Sequence, residues 1–180
     1  MTLYELRLFC SNEPWRYNIQ LPWTEGHWSF ATDAKIIVIV PKLAGAIVTN
    51  VNPPNGMEFI DRILSQNFAS YVPFGKAITG ANIRCEFCRV TCPECKGYGC
   101  VECSGNGWKT SNEPCDVCRN KREILSYKCG AAHINPYVIR HLVSQPNLQF
   151  IPNDNNNIPT TFRFCGGYAA VMPIKVRDES

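Results

Sequence analysis

Apolar positions in this chain run in short blocks or alternate, and only three stretches recur at helical spacing. The longest block, Ile36-Ile37-Val38-Ile39-Val40, has the length of a strand. Before it stands WSFAT at 28–32 and a turn centred on Asp33. Residues 28–40 therefore predict strand, turn, strand, stopped by Pro41. Ala46–Val51 predicts a further short strand, followed by a loop at Asn52-Pro53-Pro54-Asn55-Gly56. Near the start, Leu3, Leu6 and Phe9-Cys10 fit one helical face until Ser11-Asn12-Glu13-Pro14 breaks it. Met57–Phe68 places Phe59, Ile60, Ile63, Leu64 and Phe68 on one side of an amphipathic helix. Strands are expected over Lys76–Ile83 and Lys121–Lys128. Asn135 as N-cap and Pro136 in the first turn open a helix through Val143, ended by Pro146-Asn147. Leu148–Ile151 then reads as strand and 153–157 as polar loop. Thr160–Phe164 and Tyr168–Val176 form a hairpin round Gly166-Gly167, and 177–180 should fray.

The pattern predicts an α+β scaffold with an antiparallel sheet, made of 1–83 and 124–180 and interrupted by 84–123. With 180 residues it can bury a core of its own, and 45% hydrophobic with 18% charged residues is a globular composition. No apolar run approaches the roughly 20 residues of a membrane helix, so no membrane partner is expected. The N-terminus lacks the basic start and apolar core of a signal peptide. We therefore expect a reducing cytoplasm, where clustered cysteines read as metal ligands before disulfides.

The interruption holds eight of eleven cysteines, as four Cys-x-x-Cys pairs: Cys85/Cys88, Cys92/Cys95, Cys100/Cys103 and Cys115/Cys118. Two thiolates spaced in this way can grip one metal from a tight turn. Zinc takes four in a tetrahedron, so four pairs predict two closed zinc sites per chain. Catalytic zinc keeps an open position and uses histidine or carboxylate ligands. His27, His133 and His141 all lie outside the module, so metallohydrolase chemistry is not expected. A thioredoxin-type redox centre would have a single pair in a βαβ setting. Cys10, Cys129 and Cys165 stand apart and are expected to be buried thiols.

Metal also changes the charge. The formal +3 falls to about −1 once eight thiolates and two zinc ions contribute their net −4. Residues 83–123 carry seven Lys/Arg and six Asp/Glu, so the loaded module is near −3. That is the wrong sign for an electrostatic grip on nucleic acid. Trp15, Trp23 and Trp28 sit among prolines and polar residues; packing is expected of them, with a base-stacking platform as the alternative.

Cys95 and Cys103 are each followed by x-Gly-x-Gly, in KGYG and SGNG. Glycine there permits positive φ and lets backbone N–H groups turn toward sulfur. In these units the stretch Cys85–Glu123 resembles the cysteine-rich zinc domain of DnaJ-type cochaperones, most closely along CVECSGNGWKTSNEPCDVC. It departs from that family in its short spacers, in the missing Gly tails after Cys88 and Cys118, and in having no His-Pro-Asp triplet. Stimulation of a chaperone ATPase is therefore not implied. The resemblance implies a nested pairing, Cys85, Cys88, Cys115 and Cys118 on one zinc and Cys92, Cys95, Cys100 and Cys103 on the other. By spacing alone a crossed order, first with third and second with fourth, stays open.

The flanks carry a second resemblance. FATDA at 30–34 before an apolar strand, INPYVI at 134–139, and YAAVMPIKV at 168–176 are similar to segments of the DNA polymerase III β sliding clamp. This implies one clamp-like domain of βαβββ units, with Arg62, Arg140 and His141 as a thin basic echo of the clamp's DNA-facing helices. The chain has room for one such domain, so a ring would need a homo-oligomer. The composite resembles phage and prophage proteins.

Three functions are weighed. The first is a non-enzymatic, zinc-binding protein-interaction factor, such as a phage accessory or inhibitor protein, with Tyr98 and Trp108 meeting the protein partner. Packing within the module is an equal claim on those two rings. The second is a DNA-associated, clamp-like oligomer. The third is the chaperone or thiol–disulfide activity of DnaJ-type modules. No P-loop, dinucleotide-binding glycine motif or Ser/His/Asp pattern supports another enzyme class.

Overall fold

The computed structural model describes residues 1–13, 16–45, 56–66, 70–76, 78–84, 89–91, 93–95, 101, 108–110, 123–155 and 157–174. In chain order the elements are α1 (Leu3–Arg7), β1 (Trp23–Glu25), β2 (Trp28–Thr32), β3 (Ile36–Pro41), α2 (Gly56–Leu64), β4 (Val72–Pro73) and β5 (Ile78–Arg84). There follow β6 (Arg89–Thr91), β7 (Trp108–Thr110), β8 (Glu123–Cys129), β9 (Ala132–Ile134), β10 (Gln149–Phe150), β11 (Thr160–Phe164) and β12 (Gly167–Val171). The class is α+β, dominated by antiparallel sheet. The chain divides into two compact units, 1–80 with 127–180, and 81–126.

The first unit is built on a seven-stranded sheet ordered β1-β2-β3-β12-β11-β10-β4, antiparallel throughout. Its interior strand β3 has all five residues from Ile36 to Val40 buried. Strand side chains alternate between faces, so a wholly apolar strand needs cover on both. Ile36, Val38 and Val40 join a core with Leu6 and Phe9 of the α1 region and with Ile139 and Leu142. Ile37 and Ile39 face the other way, into a core with Trp23, Phe30 and α2 residues Ile60 and Ile63. Each such side chain removed from water contributes about 1.5–3 kcal/mol.

Local chemistry explains several boundaries. Thr2 caps α1 through the Glu5 N–H, while the Glu5 carboxylate accepts the Thr2 N–H in return, a reciprocal capping box. The β2–β3 turn is held by Asp33, whose Oδ1 accepts the N–H groups of Lys35 and Ile36. Asp33 thus has a turn role, as expected from its place between the strands. Gly166 takes φ +87° in the β11–β12 hairpin. A Cβ at Gly167 would lie 2.6 Å from the Ile39 carbonyl oxygen, so β12 can pair with β3 only with glycine there.

Two predicted elements come out differently. The expected helix after Asn135 is a run of turns, although the Asn135 side chain accepts the Tyr137 N–H as a cap should. Most backbone bonds there span three residues, as in Arg140 to Tyr137 and Leu142 to Ile139, so no regular helix forms. Ile139 and Leu142, three residues apart, are both buried in the core from this run of turns. The terminal strand stops at Val171, short of the expected Val176. Pro173 has no N–H to continue the ladder, and the next residue, Ile174, donates to the His133 carbonyl of β9. The strand expected at Ala46–Val51, most of the loop after it, Trp15 and the tail 177–180 lie outside the described residues. Trp23 is buried and stacked on Phe30, with centroids 5.3 Å apart; Trp28 is half-buried and edge-on to Tyr168. Packing is therefore the observed role of both.

Candidate metal centre

The cysteine-rich stretch falls within unit 81–126. Its described framework is two short strands, β6 and β7, paired antiparallel with Arg89 opposite Thr110, Val90 opposite Lys109 and Thr91 opposite Trp108. This ribbon closes the loop 92–107 at its base. Cys92, Cys95, Cys100 and Cys103 all belong to that loop by sequence. Outside the ribbon, β5 ends at Arg84 and β8 begins at Glu123, and these two strands are neighbours in a three-stranded sheet with β9. Cys85 and Cys88 belong to the link from β5 to β6, and Cys115 and Cys118 to the link from β7 to β8. Both links are thus bounded at each end by neighbouring strands.

Of the eight predicted ligands, Cys95 is described: it is half-buried in a turn at 93–95 that follows β6. Cys85, Cys88, Cys92, Cys100, Cys103, Cys115 and Cys118 lie outside the described residues, as does Tyr98. Trp108 is placed by its backbone at the start of β7. Among the described residues no group of three or more His, Cys, Asp or Glu is placed to hold a metal ion. What is described of this segment is a tight turn that carries Cys95 and a two-stranded ribbon that brackets residues 92–107 in sequence.

The remaining thiols have a different character. Cys10 and Cys129 are buried in the core of the scaffold, and desolvation pushes both up to about 12. They stay protonated at neutral pH and are poor nucleophiles. Cys165 departs from the expectation of burial. It stands exposed at the β11–β12 turn, where its N–H donates to the Pro146 carbonyl. Among the histidines, desolvation holds His133 and His141 below the usual imidazole range. His141 packs edge-on against Phe9, and His27 is exposed.

The basic residues singled out in the sequence are occupied locally. Arg62 pairs with Glu58 one turn earlier at 3.8 Å, and Arg140 covers the Tyr137 ring at 3.9 Å. Their elements pack on opposite faces of the large sheet, α2 in one core and the Ile139–Leu142 segment in the other. No protein-family model matches the chain, and no curated protein matches it.

Sequence reasoning missed β6 and β7 because three-residue strands give no periodicity to detect. The available signal was composition: Val90-Thr91 and Trp108-Lys109-Thr110 are strand formers flanking the inner cysteines symmetrically.

Proposed function

We propose that the protein is a non-enzymatic interaction factor, in which two zinc ions brace the cysteine-rich unit and that unit meets a protein partner. The observation that carries this is the set of four Cys-x-x-Cys pairs confined to one compact unit of the chain. Bound zinc would supply cross-links between distant turns and, with four thiolates on each ion, leave no open position for catalysis. The chain's own part is to bring the knuckles together. The strand order supports the nested pairing. The β6–β7 ribbon brackets in sequence the segment that carries Cys92, Cys95, Cys100 and Cys103, and the neighbouring strands β5 and β8 bracket the two outer pairs in the same way.

Tyr98 and Trp108 are the proposed contact residues. Trp108 opens β7 directly opposite Thr91, the residue before Cys92, so it belongs to the braced base of the inner loop. The α+β scaffold is proposed to be a clamp-like carrier for this unit, and a phage accessory or inhibitor protein is the biological setting that the composite suggests. The DNA-bound alternative draws no support from the basic residues, which are engaged locally and split between two sheet faces.

Two experiments test the reading. Cys92→Ser with Cys103→Ser should remove one zinc if the pairing is nested and both if it is crossed. A Tyr98→Ala, Trp108→Ala double variant should keep its zinc and lose a partner that the wild type captures from its native cell extract. Retention of that partner by the double variant would remove these two rings from the account.

A further inference from the structure

A cavity of about 450 Å³ opens in the scaffold where the β2–β3 turn meets the entry to β11 and the exit from β12. Its size suits one small molecule. Its wall is aliphatic: Ile19, Ile36, Ile37, Pro159, Ala170 and Met172. Strand register explains part of this wall. Thr32, Ile37 and Ala170 are cross-strand partners on β2, β3 and β12, so they form one row on one face of the sheet. Ile37 and Ala170 belong to the core shared with α2, and the cavity borders that core. Ile19 is buried yet belongs to neither core, while Met172 stays 47% exposed.

The polar side chains of the lining are engaged, with one exception. Arg16 pairs with the Glu13 carboxylate and donates through Nη1 to the Asp33 carbonyl at 2.9 Å. Lys35 has a partner of its own. Thr32 donates to the Ile36 carbonyl and accepts the Ala34 N–H. Asn18 is half-buried in the lining, and among the described residues its side-chain amide makes no hydrogen bond. The cavity thus presents no uncommitted charge, and its uncommitted polar side chain is an amide, both donor and acceptor. The turn beside it is set before any ligand arrives: Ala34 holds φ +73°, a conformation that non-glycine residues adopt only when their surroundings impose it.

A charged ligand would lose water here without gaining a free counter-charge, whereas a neutral one loses little. We infer that this cavity binds a neutral aliphatic molecule bearing one hydrogen-bonding group, its chain against Ile36, Ile37 and Ala170 and its polar group at Asn18. The site lies within the scaffold unit and does not depend on zinc.

The test uses the full zinc-loaded chain with its isoleucine and methionine methyl groups labelled, titrated with octanol and followed by NMR. The methyls of Ile19, Ile36, Ile37 and Met172 should shift saturably and together, while those of Ile134 and Ile139, which do not line the cavity, stay in place. Octanoate, ionised at neutral pH, should bind about tenfold more weakly. Asn18→Ala should weaken octanol by about fivefold, the worth of one net hydrogen bond. Ala170→Phe should fill the chamber and abolish binding; the methyl shifts read the site in the wild-type chain, so the test stands whether or not that variant folds. Octanoate binding as tightly as octanol would overturn the selection of a neutral ligand, and octanol binding indifferent to Asn18→Ala would overturn the polar contact. Absence of saturable shifts in the four methyls at millimolar octanol, or shifts spread evenly through both cores, would overturn the site.

Discussion

The two units differ in how much of their described structure is buried. In the scaffold, β3 alone places five apolar side chains into two cores, and both cores contain residues far apart in sequence. Among the described residues of 81–126, none belongs to either core; Val90 at 41%, Leu125 at 54% and Val101 at 94% are exposed, and Ile124 is half-buried. The described residues of that unit, with a three-residue ribbon among them, offer little burial to set against chain entropy. On the proposed reading eight thiols take the place of a core, because metal binding free energy then serves as folding free energy. If the proposed zinc ions are present, burial and coordination are alternative ways to specify structure within one chain.

The contrast can be broken most forcefully by removing metal. Chelation should unfold 81–126 while the scaffold keeps its far-UV signal and its cooperative melt, since structural zinc is worth on the order of 10 kcal/mol to a small domain. A single global transition on chelation would show that the units do not fold separately. The converse experiment is Ile39→Ala, which empties part of the core beneath α2. It should cost the scaffold about 2–5 kcal/mol in urea unfolding and leave zinc content unchanged. Gly167→Ala tests the pairing of β12 with β3: the added Cβ meets the Ile39 carbonyl and the Phe164 ring, and a loss of about 1–3 kcal/mol is expected.

The smallest effect separates the two kinds of thiol by pH. Cys10 and Cys129 have folded values raised from 9.0 to about 12. The unfolded chain therefore loses these protons first as pH rises. Their contribution is fully present below about pH 9 and is lost as pH climbs from there toward the folded values near 12. Urea midpoints should fall over that interval, and less so in Cys129→Ala. Zinc-bound thiolates are already ionised, so metal retention should not follow the same curve.

Much of the scaffold was legible because its signals are local. The β-branched block of β3, the Asp33 turn and the Gly166-Gly167 hairpin each state their conformation within a few residues. What failed did so for physical reasons. The segment after Asn135 has a sound cap and helical spacing, but most of its backbone bonds span three residues, and it buries Ile139 and Leu142 without forming a regular helix. β9 is only three residues long, and its hairpin with β8 depends on Gly130, which takes φ +74° and has the Asn153 carbonyl oxygen 2.5 Å from where a Cβ would stand. No window of sequence contains that close approach. The cavity beside Lys35 was invisible for the same reason, since its walls come from segments more than a hundred residues apart. The candidate metal centre was the reverse case: its ligands are a spacing pattern, readable without any fold, and its ribbon strands were too short to see.

The account rests on zinc in the cysteine-rich unit, and metal analysis of the purified chain under reducing conditions addresses that most directly. It predicts two zinc ions per chain, with eight thiols protected from alkylation until a chelator is added. A chain that carries no zinc, or only one, and whose eight thiols alkylate freely would contradict it.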